Sequence, residues 1–149
     1  MEDQIDIDTI SHAIQRCACL NIRQTDRAIT QFYAESLALS GLNTPQFALL
    51  ATIARTEPVT INHLSEVMVL DRTTLTRNLQ LLSKRKLIRD EEGEDRRMRL
   101  VSLTQEGKQA LLRAWPMWQE AQARIEHALG RERLESLLLE LSAIRAVVR

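Results

Sequence analysis

Aromatic residues make up only 3% of this 149-residue chain; glycine occurs four times, proline three times and cysteine twice. Sandwiches and barrels depend on many turns, so a chain this poor in glycine points to helices. No phosphate-binding glycine loop, nucleophile–base constellation or metal-ligand cluster can be assembled from the sequence, which argues against an enzyme and against a resident cofactor or metal. His12, His63 and His127 are scattered over separate segments. No apolar run reaches the length of a membrane span, and no signal peptide is recognisable, so the expected setting is cytoplasmic with reduced thiols and no membrane partner.

An excess of either charge is also lacking, since 20 basic residues balance 20 acidic ones. The distribution is uneven. Glu2, Asp3, Asp6 and Asp8 crowd the first eight residues without a base, whereas Asp71 to Arg99 hold nine bases against six acids. Local charge governs contact with phosphates, so this second stretch is the place to look for a polyanionic partner.

What is present is a mainly α pattern with one small β-hairpin. From Thr9 to Leu39 the spacing predicts a long helix, with one apolar stripe at Ile10, Ala13, Ile14, Cys17, Ala28 and Phe32 and another at Ile22, Ile29 and Tyr33. Ser40-Gly41 stops it. Thr44-Pro45-Gln46 restarts a helix, with Thr44 expected as N-cap, and Glu57-Pro58 ends it. Thr60 caps a short helix with Ile61, Leu64 and Val67 pointing inward. Val69-Leu70 turns the chain into a further helix capped by Asp71. A strand follows from Leu87-Ile88, then a polar loop from Glu91 to Asp95, and a returning strand from Arg99 to Leu103. Thr104 opens a last helix pair, broken at Gly130, whose second member carries Leu134, Leu137, Leu138, Leu141, Ile144 and Val148 in a near-heptad stripe.

Within Thr60–Leu103 the order is helix, turn, helix, strand, loop, strand, which reads as a winged helix-turn-helix. Leu75, Leu79 and Leu82 share one face of the Asp71-capped helix, and the opposite face carries Thr73, Thr76, Arg77, Gln80 and Lys84. A helix in the major groove needs short hydrogen-bonding residues near its N-terminus, as Thr73, Thr74 and Thr76 are, and their methyls can meet thymine methyls. Arg77 has the reach for guanine or for a phosphate. Wing arginines can enter the minor groove, while Glu91, Glu92 and Glu94 oppose attraction there. The DNA-binding set is therefore Arg72, Thr73, Thr74, Thr76, Arg77, Gln80 and Lys84 on the helix with Asp95, Arg96 and Arg97 on the wing, Asp95 being suited to fixing Arg97 by an ion pair. The terminal helices, residues 9–43 and 104–149, are apolar without a polar site and suit dimerisation around the 44–103 DNA-binding lobe. The rival reading is a winged helix used only for protein contact.

Asp71-Arg72-Thr73-Thr74-Leu75-Thr76-Arg77 with Leu79 and Leu82, followed by Asp95-x-Arg97 and Val101-x-Leu103-Thr104, resembles the MarR family of bacterial transcriptional regulators. The resemblance extends to the first helix, the Thr44-Pro45-Gln46-Phe47 start and the final helix pair. It implies a homodimer with interlocked first and last helices. Such a dimer binds double-stranded DNA at a pseudopalindromic operator, in the usual case as a repressor released by a small molecule or by cysteine oxidation. It makes the Asp71–Lys86 helix the recognition helix and Arg97 the wing arginine. Two positions depart from the pattern, Val69 and Lys86 standing where glycine is usual, and a positive φ would strain either one.

The resemblance also makes Cys17 a redox candidate, although its place in the apolar stripe favours packing. On a continuous helix Cys17 and Cys19 would point about 200° apart, unsuited to a shared metal or an ordinary disulfide. For a phenolic-type effector, Tyr33, Trp115, Trp118 and His12 are the aromatic and polar candidates.

Overall fold

The computed structural model describes residues 6–93 and 98–148. Seven helices and a three-stranded sheet appear among them: α1 (Ile7–Gln15), α2 (Ala18–Leu37), α3 (Thr44–Thr56), β1 (Val59–Thr60), α4 (Ile61–Met68), α5 (Arg72–Lys84), β2 (Ile88–Glu92), β3 (Arg99–Leu103), α6 (Gln105–Leu129) and α7 (Arg131–Val147). This is the mainly α architecture with a β-hairpin wing that the sequence led us to expect.

The expected single first helix is two. It breaks at Arg16-Cys17, and Cys17 takes an extended backbone as the N-cap of α2. Asn21 explains how the break is tolerated. Its side-chain amide donates to the carbonyls of Gln15 at 3.0 Å and Cys17 at 2.9 Å, supplying partners at the interruption. The premise that both cysteines ride one continuous helix therefore fails at Cys17.

Helix α2 ends in a 3-10 turn, Ala38–Ser40, and Gly41 at φ 77° provides the left-handed residue that redirects the chain. The cap of α3 is Asn43 rather than Thr44. Asn43 accepts from the Gln46 N–H at 2.9 Å while Gln46 Oε1 accepts from the Asn43 N–H at 3.2 Å, a reciprocal box that leaves Thr44 and Pro45 as the first helical residues. Thr44 instead donates through its hydroxyl to the Thr30 carbonyl on α2.

The core lies between α3, α4, α5, the sheet and the first half of α6. Phe47, Leu49, Leu50 and Ile53 of α3, Leu64 of α4, and Leu75, Leu79 and Leu82 of α5 are all buried, with Val59, Ile88, Val101 and Leu103 from the sheet. Val67 is exposed and does not point inward as expected; Met68 packs on the core in its place.

Strand β1 was not foreseen. It adds to β3, with Val59 opposite Val101, and gives the order β1-β3-β2, all antiparallel. Two residues are too few to show alternation, so only pairing reveals them as strand. Strand β2 also runs to Glu92, so Glu91 and Glu92 belong to the ladder and not to the loop.

Helix α6 starts against the residues that follow α5. The Thr104 hydroxyl donates to the Lys86 carbonyl and accepts from the Gly107 N–H, and the Thr104 N–H donates to the Leu87 carbonyl. A Cβ on Gly107 would lie 1.9 Å from the Leu87 oxygen, so only glycine allows this approach. Glu57 ties the same corner, accepting from the Leu103 N–H at 2.7 Å and pairing with Lys108 at 3.4 Å. Farther along, α6 packs on α2 through a Tyr33–Gln122 hydrogen bond and through Arg124 over the Phe32 ring at 4.7 Å. Burial raises the Tyr33 phenol above its ordinary pKa. Pro116 sits inside α6 without ending it.

Candidate nucleic-acid interface

The turn between α4 and α5 sets the direction of the candidate recognition helix. Val69 adopts φ 52°, the left-handed conformation at which glycine would be expected. Its neighbours hold it there, because the Leu70 N–H donates to the Ser65 carbonyl at 3.1 Å and the Ser65 hydroxyl donates to the Leu70 carbonyl at 2.6 Å. Lys86, at the other end, has φ 57°. Both departures from the family pattern thus keep the glycine-like backbone and carry its strain.

Asp71 caps α5 as expected. Its carboxylate accepts from the Thr74 hydroxyl at 2.6 Å and the Thr74 N–H at 2.9 Å, and these bonds, the hydroxyl first, hold its pKa below 3.8. Thr74 therefore completes the cap, a role that competes with base reading. The Thr76 hydroxyl donates to the Arg72 carbonyl at 2.7 Å, so its proton is committed to the helix backbone while the residue stays exposed.

Three leucines, Leu75, Leu79 and Leu82, anchor α5 from below, and Arg72, Thr73, Thr74, Thr76, Arg77, Gln80 and Lys84 are all exposed on the helix. Of these, Arg72, Thr73, Thr76, Arg77 and Gln80 line one open depression of about 450 Å³. The structure thus gathers five of the seven expected helix residues onto one surface, with Thr74 turned to the cap and Lys84 a turn farther along.

On the wing, Ile88 is buried while Arg89 pairs with Glu91 at 2.7 Å, so one of the opposing acids is neutralised by its own strand. The Gly93 N–H donates to the Met98 carbonyl at 2.8 Å and closes the described part of the hairpin. The expected wing residues Asp95, Arg96 and Arg97 lie outside the described residues. Sequence reading did not select Arg99 for this surface. Arg99 pairs with Asp90 across the two strands and lines one crevice with Thr76, Gln80 and Lys84 of α5, a placement that follows from the strand register.

Of the aromatic and polar effector candidates, only the two tryptophans are in direct ring contact among the described residues. Trp115 stacks on Trp118 at 4.9 Å between ring centres and Trp118 on Phe47 at 6.0 Å, Tyr33 meets Gln122, and His12 bonds the Asp8 carbonyl on α1. An open hollow of about 760 Å³ lies elsewhere, between α2 and α6, lined by Ile29, Phe32, Ala123, Ile125 and neighbouring residues. Among the described residues no three His, Cys, Asp or Glu side chains group as metal ligands, and no single helix is long and apolar enough to cross a membrane.

The α4–turn–α5 unit, the strand pair after it and the polar outer face of α5 define a winged helix-turn-helix protein. A MarR-family sequence profile matches residues 40–98. A transcriptional regulator of M. tuberculosis, MosR, solved in complex with DNA, is 33% identical; the alignment covers 90% of this chain and 99% of MosR, with a TM-score of 0.79. The chain belongs to the MarR family, a family of transcriptional regulators. Two further structures share the fold at low identity. A variant of MarR from E. coli complexed with operator DNA has 21% identity, coverage of 94% and 99%, and a TM-score of 0.78. The MepR–DNA complex of S. aureus has 17%, 88% and 98%, and 0.77. A search of curated proteins gave no match.

Proposed function

We infer that this protein is a DNA-binding transcriptional regulator. It acts as a homodimeric repressor on a pseudopalindromic operator and is released by a small phenolic-type ligand or by oxidation of Cys17. The observation that carries the reading is the outer face of α5. Arg72, Thr73, Thr76, Arg77 and Gln80 form one exposed surface on a helix whose other side is locked by three buried leucines. Such a face has the groups that read base edges, set on a rigid support. The 33% identical MosR was solved with DNA, which supports the same partner here.

Dimerisation is supported by α1 and α7. Neither helix buries a residue within the chain, yet they expose Ile7, Ile10 and Ile14 and Leu137, Leu138 and Ile144. A second copy of the chain would cover them. For release, Cys17 lies half-buried at the α1–α2 break. Its oxidation would change the packing of the arm on which the dimer depends.

Selection of genomic fragments by the purified protein, with and without mild peroxide, tests the whole reading. A recovered palindrome supports the dimeric operator, and binding that survives peroxide in wild type as well as in Cys17→Ser rejects the thiol route. On that operator Arg77→Ala should cost about 1–3 kcal/mol and relax specificity at one position per half-site. Wild-type binding by Arg77→Ala would reject α5 as the reading helix.

A further inference from the structure

Two crevices meet at Arg99 on the seam between α5 and the wing. One, of about 310 Å³, is lined by Asn62, Arg72 and Arg99 among others; the second, of about 580 Å³, by Thr76, Gln80, Lys84, Asp90 and Arg99. Arg72, Lys84 and Arg99 supply three positive charges along this seam, and Asp90 is the one acid in either lining.

The strand register explains why Arg99 belongs to the seam. Asp90 stands opposite Val101 and Glu92 opposite Arg99, so these four side chains share one face of the sheet. Val101 on that face is fully buried against the helices. Two residues earlier, at Arg99, the same face borders a crevice where Thr76, Gln80, Ser83 and Lys84 of α5 join Leu79 and Ile61 at the edge of the core. Arg99 is held there by the Asp90 ion pair, with its side chain 64% exposed. A guanidinium offers five N–H donors in a planar fork, so pairing with one carboxylate leaves donors for a second anion.

We propose that the α5–wing seam seats a phosphate of the DNA backbone, gripped by Arg99 between Arg72 and Lys84, with Asp90 aiming Arg99. The proposal rests on the DNA-binding reading above and adds a contact which that reading does not contain. Asp90 is tolerated beside a phosphate only because Arg99 neutralises it. Removing Arg99 alone therefore does double harm, deleting a cation and uncovering an anion.

The test uses the full chain and the duplex recovered with wild-type protein, titrated by fluorescence anisotropy over a range of salt concentrations. Arg99→Gln should weaken binding roughly tenfold, as loss of a charged hydrogen bond does. The slope of log affinity against log salt should fall by about 1. Arg99→Lys should keep the wild-type slope. Arg99→Gln with Asp90→Asn should bind severalfold more tightly than Arg99→Gln alone. Wild-type affinity and slope in Arg99→Gln would overturn the phosphate seat, as would weaker binding with an unchanged slope, which marks a structural effect. Failure of the double variant to recover overturns the role given to Asp90. If wild-type protein retains no duplex at all, the DNA-binding reading falls and takes this proposal with it; indifference of Arg99→Gln beside a binding wild type removes this proposal alone.

Discussion

The central lobe and the terminal helices use apolar residues in opposite ways. In the lobe, Leu50, Ile53, Leu64, Leu75, Leu82 and Val101 come from four different elements, and each is at 0% exposure. Helices α1 and α7 bury no residue, although their sequences are no less apolar in pattern. Ile7 is 78% and Val147 83% exposed. The lobe closes a core, with Leu37 of α2 and Ala110 and Ala114 of α6 added at its edge, because short helices and strands fold back on one another through tight turns. Each arm is a single helix, and one helix can cover another along a single stripe only. One region is finished as a single chain; the other leaves apolar side chains uncovered, which under the proposed function a second copy would cover. The proposed reading surface sits on the finished region, as geometry held to fractions of an ångström requires.

The contrast can be broken most forcefully from the lobe side. Leu82→Ala should destabilise the folded chain by about 2–5 kcal/mol, because a fully buried leucine leaves both lost transfer energy and a cavity. Equilibrium urea unfolding measures this, and a loss below about 1 kcal/mol would mean that the lobe core is looser than its burial indicates.

The corresponding change in an arm should act on assembly instead. Leu138→Glu with Ile144→Glu should convert the dimer to monomer in sedimentation experiments and lower operator affinity by about a hundredfold as the half-sites lose their linkage. Lobe residues should keep their amide-exchange protection. A variant that still sediments as a dimer would contradict the role given to α7.

A subtler probe separates good packing from good backbone within the lobe. Val69 holds φ 52° with a β-branched side chain, and that side chain is exposed, so Val69→Gly loses little packing. The substitution should stabilise the chain by about 1 kcal/mol, strain relief exceeding the added freedom of the unfolded glycine. The thermal midpoint reports it, and a fall would show that Val69 carries contacts worth more than its strain.

The smallest effect concerns the cap of α5. Asp71 has a folded pKa below the 3.8 of a free carboxylate, so its charge stabilises the helix fully above that value. The contribution is lost as pH falls through the lowered folded value. In Thr74→Val the hydroxyl bond disappears, and the Asp71 titration followed by NMR should move back up toward 3.8 while the Asp6 titration stays where it is. An unmoved Asp71 would show that the backbone N–H bonds alone lower it.

Much of this architecture is legible in the sequence. Caps at Thr60, Asp71 and Thr104, the stops at Gly41 and Gly130, and the leucine face of α5 are local signals, each set by residues within one or two turns. The misses share one cause. The break at Arg16-Cys17 is partnered by Asn21 reaching back across the turn, and the cap at Asn43 rests on a reciprocal bond with Gln46, whereas Thr44-Pro45 by itself reads as a cap at Thr44. Strand β1 exists only because β3 lies beside it. None of these could be weighed from periodicity, which counts a residue's type and spacing and not its hydrogen-bond partners.

The same division holds for the reading surface. Sequence by itself determined that Thr73, Thr76, Arg77 and Gln80 lie on one side of a helix, because a 3.6-residue turn allows nothing else once Leu75, Leu79 and Leu82 take the core. It also determined the family, through residues adjacent in the chain. Only tertiary structure decided that Thr74 serves the cap, that Val69 and Lys86 accept glycine's backbone, and that Arg99 lines a crevice with α5 beside Asp90. Those outcomes depend on which partner each polar group wins, from Asp71 for the Thr74 hydroxyl to Asp90 for Arg99, and on how the strands pair, and residue spacing alone does not decide that competition.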